Sequence, residues 1–183
     1  MANPATLYRF RLNVSDVERG FYESLDFRVG MHPSETEDYL LTRVIAYALN
    51  YESGLEFAPG LCTADEPAIR LLGPNGEIAL WIDIGNPAAR RIHKASKASK
   101  RVRIYTYKNP ESLKAEALKE EVHRASEIEV FSFSQNFLSG LAPLLKRDNA
   151  WSLIHTEGEL IVTIKDGTEE KSVMGTLEAH RLG

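Results

Sequence analysis

The chain has 183 residues, with 22 Lys and Arg against 26 Asp and Glu, a formal net charge of −4 and 43% hydrophobic residues. That length predicts one domain over residues 1–183, and the composition excludes disordered, fibrous and low-complexity classes. No run approaches the roughly 18 apolar residues of a membrane span, and the N-terminal residues lack the apolar stretch of a signal peptide. The single cysteine, Cys62, permits no intramolecular disulfide. We therefore expect a cytoplasmic protein.

The N-terminal third predicts a hairpin, a helix and a second hairpin. Apolar and polar residues alternate over residues 7–14 and less strictly over 21–29, as in two antiparallel strands with one buried face. Ser34 is predicted to cap a helix, because Glu37 three residues later completes a capping box. That helix should end near residues 51–54. An irregular stretch at 59–67 then leads to a hairpin whose turn is Gly73 to Gly76.

Helices and strands alternate in the remainder of the chain. Asn86 and Pro87 are predicted as the N-cap and first residue of a second helix that runs to about Lys100. The further predicted elements are a strand at 102–107, a helix at 110–124, a strand at 128–133, a short helix at 135–145 and closing strands at 151–155, 160–164 and 172–177. This order predicts an α/β fold, a mixed β-sheet flanked by helices with hairpins at both ends of the chain.

Three motifs together resemble the YaeQ family of small bacterial proteins. They are HPSET at 32–36, GLCTADEP at 60–67 and LWIDIGNPAARRIHKA at 80–95. The order of elements is similar across nearly the whole chain. The resemblance implies a divergent PD-(D/E)XK core, which is restriction endonuclease-like and holds acidic metal ligands and a lysine. It implies a fold, whereas an activity has to be argued from the site.

Asp83 is the first candidate ligand for the Mg²⁺ or Mn²⁺ that the resemblance implies. Hard divalent cations take oxygen ligands, and they neutralise the charge that develops on a phosphodiester. Asp83 ends the apolar run 78–82 in a predicted central strand, where an unpaired carboxylate is costly to bury. Some group must therefore compensate it. The alternative interpretations are that Asp83 lies at an exposed strand end, or accepts hydrogen bonds from the amides that open the helix at Asn86.

Asp65 is the second candidate ligand. It precedes the strand predicted to pair with residues 78–84, where the resemblance places the leading aspartate of the nuclease motif. Alternatively, Asp65 or Glu66 caps a turn that ends at Pro67. Because proline forces its predecessor to be extended, the two acids point in different directions and at most one faces Asp83. We prefer Asp65, with Glu66 in reserve.

Glu35 is the third candidate metal ligand, since the resemblance implies a glutamate on the first helix. The alternative is that an acid in the first helical turn favours the helix dipole. At 100° per residue, Glu35 lies roughly opposite the stripe predicted to be buried, so we expect its side chain to stay out of the core. That stripe consists of Leu41, Val44, Ile45 and Ala48.

Lys94 is the candidate for the catalytic lysine. In (D/E)XK the acid and the lysine are two residues apart on one strand face, but the residue two after Asp83 is Gly85. We therefore nominate Lys94, on the following helix, to orient a water or to bind phosphate. The alternative is a solvated basic face shared with Arg90, Lys97 and Arg101.

Residues 84–110 contain eight basic residues and no acidic ones. These are Arg90, Arg91, Lys94, Lys97, Lys100, Arg101, Arg103 and Lys108. Such a segment can bind the phosphates of DNA or RNA. Together with the resemblance to the nuclease core, this segment leads us to expect a Mg²⁺-dependent phosphodiesterase that acts on nucleic acid. The alternatives are a module that kept the fold and binds nucleic acid without turnover, and a protein-interaction module. No histidine spacing matches a zinc signature.

Overall fold

The structure is a computed structural model, and it describes residues 4–58 and 65–183. Within these residues the fold is α/β, with mixed β-sheet and four α-helices. The chain divides into two compact units. Unit 1 consists of the residues up to Leu49 together with Phe133–Glu178, and unit 2 consists of Asn50–Ser132 together with Ala179–Gly183. The predicted α/β class is confirmed, whereas the nuclease-like core and the single domain stay predictions.

Unit 1 is built on five strands in the order β2-β1-β8-β9-β10. The pair β1/β8 is parallel and the other neighbours are antiparallel, so this sheet is mixed. Its elements are β1 (Thr6–Asp16), β2 (Phe21–Met31), α1 (Glu37–Asn50), α4 (Gln135–Leu141), β8 (Asp148–Thr156), β9 (Glu159–Asp166) and β10 (Glu169–Arg181). The terminal hairpins expected from the alternating patterns are confirmed as β1/β2 and β9/β10.

One face of the unit 1 sheet carries the buried apolar side chains of β1 and β2. Phe10 is fully buried, and its ring lies 5.9 Å from that of Phe27 in the neighbouring strand. Helix α1 covers this face, since the ring of Tyr47 lies 4.7 Å from that of Phe27. Helix α4 packs on β10, where Phe137 lies against the backbone of Gly175. Strand alternation therefore predicted the buried face correctly.

The N-cap of α1 is Thr36, so the prediction of Ser34 as the cap is wrong. The backbone N–H of Tyr39 donates to the Thr36 hydroxyl at 3.2 Å. The Ser34 hydroxyl instead lies 2.6 Å from Nδ1 of His32. Because Pro33 and Ser34 form a separate turn, closed by the Glu35 N–H and the His32 carbonyl, the helix begins two residues later than predicted.

Unit 2 is built on five strands in the order β7-β6-β5-β4-β3. The pairs β3/β4 and β4/β5 are antiparallel, whereas β5, β6 and β7 are parallel. Its elements are β3 (Glu56–Phe57), β4 (Ile69–Leu72), β5 (Ile78–Ile84), α2 (Ala89–Ala98), β6 (Ser99–Thr106), α3 (Pro110–Lys119) and β7 (Glu129–Phe133). Helices α2 and α3 are the crossovers between the parallel strands, as parallel neighbours require.

The core of unit 2 lies between α2, α3 and one sheet face. Ile92 and Ala95 of α2 pack with Trp81 of β5 and with Val102 and Ile104 of β6. Side chains alternate along a strand, so Asp83 lies on the same face of β5 as Trp81. This places the Asp83 carboxylate at the end of β5, beneath α2.

Two predicted boundaries of unit 2 are wrong. Asn86 and Pro87 do not begin α2, because the Asn86 side chain accepts from the Thr106 hydroxyl at 2.6 Å and donates to the Asn109 carbonyl at 2.9 Å. Helix α3 begins at Pro110, as predicted, with Asn109 as its N-cap, but it ends at Lys119 and not near residue 124. The turn at Gly73 to Gly76 is confirmed, and Gly76 has a φ of +80° that suits glycine.

Several predictions concern residues outside the described part of the chain. Most of the irregular segment at 59–67, including Cys62, falls there, and only Asp65, Glu66 and Pro67 of it are described. Among the described residues no helix is long and apolar enough to cross a membrane.

Candidate functional site

Asp83 is a buried carboxylate held by an arginine. Its side chain is 3% exposed, and Arg91 binds both of its oxygens: Nε donates to Oδ2 and Nη2 to Oδ1, each at 2.8 Å. Nη2 also donates to the Glu66 carbonyl at 2.6 Å. A bidentate, charge-assisted pair of this kind is among the stronger hydrogen-bonded arrangements in proteins. Arg91 is therefore the group that compensates the buried charge.

Neither alternative interpretation of Asp83 describes its surroundings. It lies inside the fold and not at an exposed strand end, and both of its oxygens accept from Arg91. Sequence reasoning counted Arg91 only as one more cation of the basic segment. Two facts in the sequence could have indicated this pair. A buried acid needs a partner, and Arg91 is an arginine on the helix that follows Asp83.

Asp65 and Lys94 form a second ion pair at the surface. Nζ of Lys94 donates to Oδ1 of Asp65, and the two side chains are 52% and 77% exposed. The hydrogen bond and charge of Lys94, with a further contribution from the charge of Arg91, hold the pKa of Asp65 below its usual value. Asp65 lies just before β4, and the Ala68 N–H donates to the Ile82 carbonyl at the end of β5. Lys94 thus pairs with Asp65 and not with Asp83.

Helix α2 therefore links the two predicted aspartates through two different cations. Arg91 and Lys94 are three residues apart, so they project from neighbouring positions of the helix surface. Asp65, Asp83 and Lys94 all belong to unit 2, and the charge of Arg91 acts on both aspartates. Glu66, held in reserve as a ligand, contacts this group through its backbone carbonyl.

Glu35 belongs to unit 1, and its side chain is buried there. It is 3% exposed and lies 3.4 Å from Nη2 of Arg43, which also donates to the Gly30 carbonyl. The expectation that Glu35 stays out of the core is wrong. Glu35 precedes α1, so the helical phase on which that expectation depended does not apply to it.

Gly85 occupies the position at which the predicted nuclease motif has its lysine. Its backbone conformation explains why the residue is a glycine. Its φ is +81°, in the left-handed region where a lysine would be strained. A Cβ placed there would meet nothing nearer than a ring carbon of Tyr107 at 3.9 Å. Conformation, rather than lack of space, therefore disfavours a lysine at this position.

Carboxylates and imidazoles do not assemble into a metal centre in the part of the chain that the structure describes. Across residues 4–58 and 65–183, no group of three or more His, Cys, Asp or Glu side chains is placed to hold a metal ion. The two aspartates of unit 2 are each neutralised by a cation instead.

The exposed surface of α2 carries a row of cations, here called the cation face: Arg90, Lys94 and Lys97. At 100° per residue these three lie within about 60° of one another, and the buried Ile92 and Ala95 lie on the other side of the helix. Arg90 and Lys97 are exposed and form no ion pair with any described residue. Other cations of the basic segment are engaged, since Lys100 binds Glu77 at 3.0 Å and Arg103 binds Glu129 at 3.1 Å.

The fold and the site together define an α/β protein with mixed β-sheet, in which a buried Asp–Arg pair fastens a basic helix to the end of a strand. A family profile described as YaeQ protein matches residues 1–173. The chain therefore belongs to the YaeQ family, as its motifs indicated.

Individual relatives agree with this assignment. The chain is 36% identical over 107 residues to the uncharacterized protein YaeQ of Escherichia coli strain K12 and 35% identical over 107 residues to that of Salmonella typhi. Each match spans 58% of this chain and 59% of the relative's length.

Two solved structures are similar over nearly their whole length. The crystal structure of the YaeQ protein from Xanthomonas axonopodis pv. citri has a TM-score of 0.85 and 29% identity, and the match covers 97% of this chain and 98% of that one. The YaeQ protein from Pseudomonas syringae has a TM-score of 0.83 and 30% identity, with 100% of both chains covered.

Proposed function

We propose that this chain binds the phosphate backbone of nucleic acid through the cation face of α2. The observation that carries the proposal is that Arg90 and Lys97 are exposed and unpaired among the described residues, on a helix that contains no acid. Cations that no carboxylate neutralises are the groups that bind phosphate and release counterions. The face is the exception in a chain whose net charge is −4.

The third member of the face is available to phosphate despite its ion pair. Lys94 and Asp65 are both largely exposed, and ion pairs of that kind contribute little to stability. A phosphate can therefore exchange with the Asp65 carboxylate at Lys94. Arg91 has a different role. If it moved from Asp83 to a phosphate, the buried carboxylate of Asp83 would lose its counter-charge.

The ion pairs formed by Asp65 and Asp83 favour binding without turnover over hydrolysis. Both oxygens of Asp83 are occupied by Arg91, Asp65 is bound by Lys94, and Gly85 replaces the motif lysine. Asp65 and Asp83 offer the oxygen ligands that Mg²⁺ prefers, but they do not fit a divalent cation in this arrangement.

The proposal also includes a location in the cytoplasm, which the single cysteine of the chain supports.

The salt dependence of oligonucleotide binding tests this proposal. The affinity of labelled DNA and RNA oligonucleotides is measured over a range of salt concentrations for the wild type and for Arg90→Ala/Lys97→Ala. We expect the double variant to bind more weakly. Because two phosphate contacts are lost, the negative slope of log affinity against log salt should become less steep by about 2. The control, Lys119→Ala/Lys171→Ala, removes two exposed cations outside the basic segment. Equal binding by both double variants would overturn the proposal.

A second candidate function is a Mg²⁺- or Mn²⁺-dependent phosphodiesterase with Asp65 and Asp83 of unit 2 as ligands and Lys94 as the catalytic lysine. Glu35, the third predicted ligand, belongs to unit 1, and its role as a ligand stays a prediction. The observation that favours it is that the charge of Arg91 acts on both Asp65 and Asp83, so the two carboxylates lie near one end of the β4/β5 hairpin. Its test is cleavage of labelled DNA and RNA with either metal. Cleavage that disappears in Asp65→Asn supports it, and cleavage that persists in that variant points to a contaminating nuclease.

A further inference from the structure

His93 lies beside the cation face in a fixed tautomer. It is on α2 one turn before Lys97, so the two side chains are neighbours on the helix surface. Nδ1 of His93 accepts a hydrogen bond from the backbone N–H of His123 at 3.1 Å. A backbone amide can only donate, so Nδ1 carries no proton and the neutral ring has its proton on Nε2.

The Nε2–H of His93 is a donor that the described protein does not use. The ring is half-buried and lies edge-on to that of His123, with 6.2 Å between the ring centroids. Its only hydrogen bond to a described residue is the one made by Nδ1. The ring is thus held in place through one nitrogen while the other remains able to donate.

We infer that His93 is a phosphate-contacting residue, which donates from Nε2 to an oxygen of a phosphate held by Lys94 and Lys97. The inference rests on the proposed function and deepens it. It states that the protein recognises an oxygen atom of the phosphodiester through a hydrogen bond, in addition to its negative charge. A neutral imidazole releases no counterion when it binds. The contact therefore adds affinity without adding to the salt dependence, unlike Arg90 and Lys97.

Two substitutions separate the nitrogens of His93. In His93→Asn the side-chain carbonyl takes the place of Nδ1 and still accepts from the His123 N–H, but nothing reaches the position of Nε2. In His93→Gln the amide N–H reaches that position, but the acceptor for His123 is lost. His32→Asn is the control, because His32 lies outside α2 and the basic segment. Oligonucleotide affinity, its salt slope and thermal stability are measured at about pH 8, where a free imidazole is neutral.

We expect His93→Asn to keep the wild-type melting temperature and salt slope while its affinity falls about tenfold, as for a lost hydrogen bond to a charged group. His93→Gln should keep more of the affinity than His93→Asn does. Unchanged affinity in His93→Asn, or a loss equal to that in His32→Asn, would overturn the inference. If the wild type binds no oligonucleotide, the proposed function itself fails. Binding that depends on Arg90 and Lys97 but not on His93 overturns only the inference.

Discussion

Arg91 donates two hydrogen bonds of 2.8 Å to the two carboxylate oxygens of Asp83, and so turns a buried charge into half of an ion pair. The same guanidinium donates to the Glu66 carbonyl, so one side chain of α2 fastens the loop before β4 to the end of β5. The arginine nearest the predicted metal ligand therefore supports the fold, while its neighbours Arg90 and Lys94 project to the surface.

Arg91→Ala should destabilise the protein strongly. The substitution leaves the Asp83 carboxylate buried without a counter-charge, and removing one partner of a buried pair costs about 3 to 5 kcal/mol. Arg91 is one-quarter exposed, so we expect the lower end of that range, about 3 kcal/mol. Urea denaturation measures the change. The matched variant Arg90→Ala removes an exposed arginine and should change the free energy of unfolding by less than about 0.5 kcal/mol. Equal effects of the two substitutions would contradict this account of Asp83.

Lys94→Ala should raise the pKa of Asp65. In the wild type, the hydrogen bond and charge of Lys94 lower this pKa, and the charge of Arg91 adds to the effect. Without Lys94 the pKa should approach the ordinary aspartate value of about 3.9 from below, because Arg91 remains. Titration of the carboxyl carbon by nuclear magnetic resonance measures the shift.

The ion pair of Asp65 and Lys94 makes the stability of the protein depend on pH in a known direction. Because the pKa of Asp65 is lower in the folded than in the unfolded state, its contribution to stability is present above the ordinary pKa. That contribution is lost as pH falls through the folded value. Lys97→Ala is the control and should leave the Asp65 titration unchanged. An Asp65 pKa that does not move in Lys94→Ala would show that the ion pair does not form in solution.

Mg²⁺ and Mn²⁺ should give no saturable heat of binding with the wild type. Arg91 occupies Asp83 and Lys94 occupies Asp65, so a divalent ion has to displace two cations before it gains its ligands. Isothermal titration calorimetry measures this without knowledge of a substrate. A saturable heat that disappears in Asp65→Asn would contradict binding without turnover and support the second candidate function. Asp65 suits this purpose because it is exposed, and its substitution leaves the buried pair intact.

Gly175→Ala should destabilise unit 1. A Cβ at this position of β10 would lie 2.6 Å from atoms of the Phe137 side chain, which is fully buried in α4. Overpacking of this kind costs about 1 to 3 kcal/mol. Ser172→Ala, at an exposed position of the same strand, is the control and should be nearly neutral. Thermal unfolding that is the same for both variants would show that α4 can move away from β10.

The strands could be predicted from the sequence more fully than the site. Alternation over residues 7–14 identifies the buried face of β1 because a strand has a period of two and one covered side. The burial of Asp83 could be predicted in the same way, from the apolar run that it ends. Its partner was not predicted. Helical spacing places Arg90 and Lys94 on the solvated face and Arg91 closer to the buried side, but it does not fix which residue of β5 lies next to Arg91.

The errors at Ser34 and Glu35 have a local cause. A capping hydrogen bond of the kind predicted for Ser34 is made two residues later, between the Thr36 hydroxyl and the N–H of Tyr39. A shift of the helix start by two residues changes the side to which every preceding residue points. Glu35 then belongs to a turn and not to a helix, and the burial of Arg43 beside it could not be read from helical spacing.

Because β1 pairs with β8, one edge of β1 stays unpaired for much of the time in which the protein is synthesised. Asp16 in β1 and its neighbour His155 in β8 are 139 positions apart in the sequence, and β3 to β7 are all translated between them. At roughly 5 to 20 residues per second, β1 waits on the order of ten seconds for β8 to leave the ribosome. Until then the edge of β1 that β8 will cover has unpaired N–H and C=O groups, which attract other strands. Strand β1 is therefore synthesised well before it is enclosed, and in that interval this edge of β1 is open to misassociation.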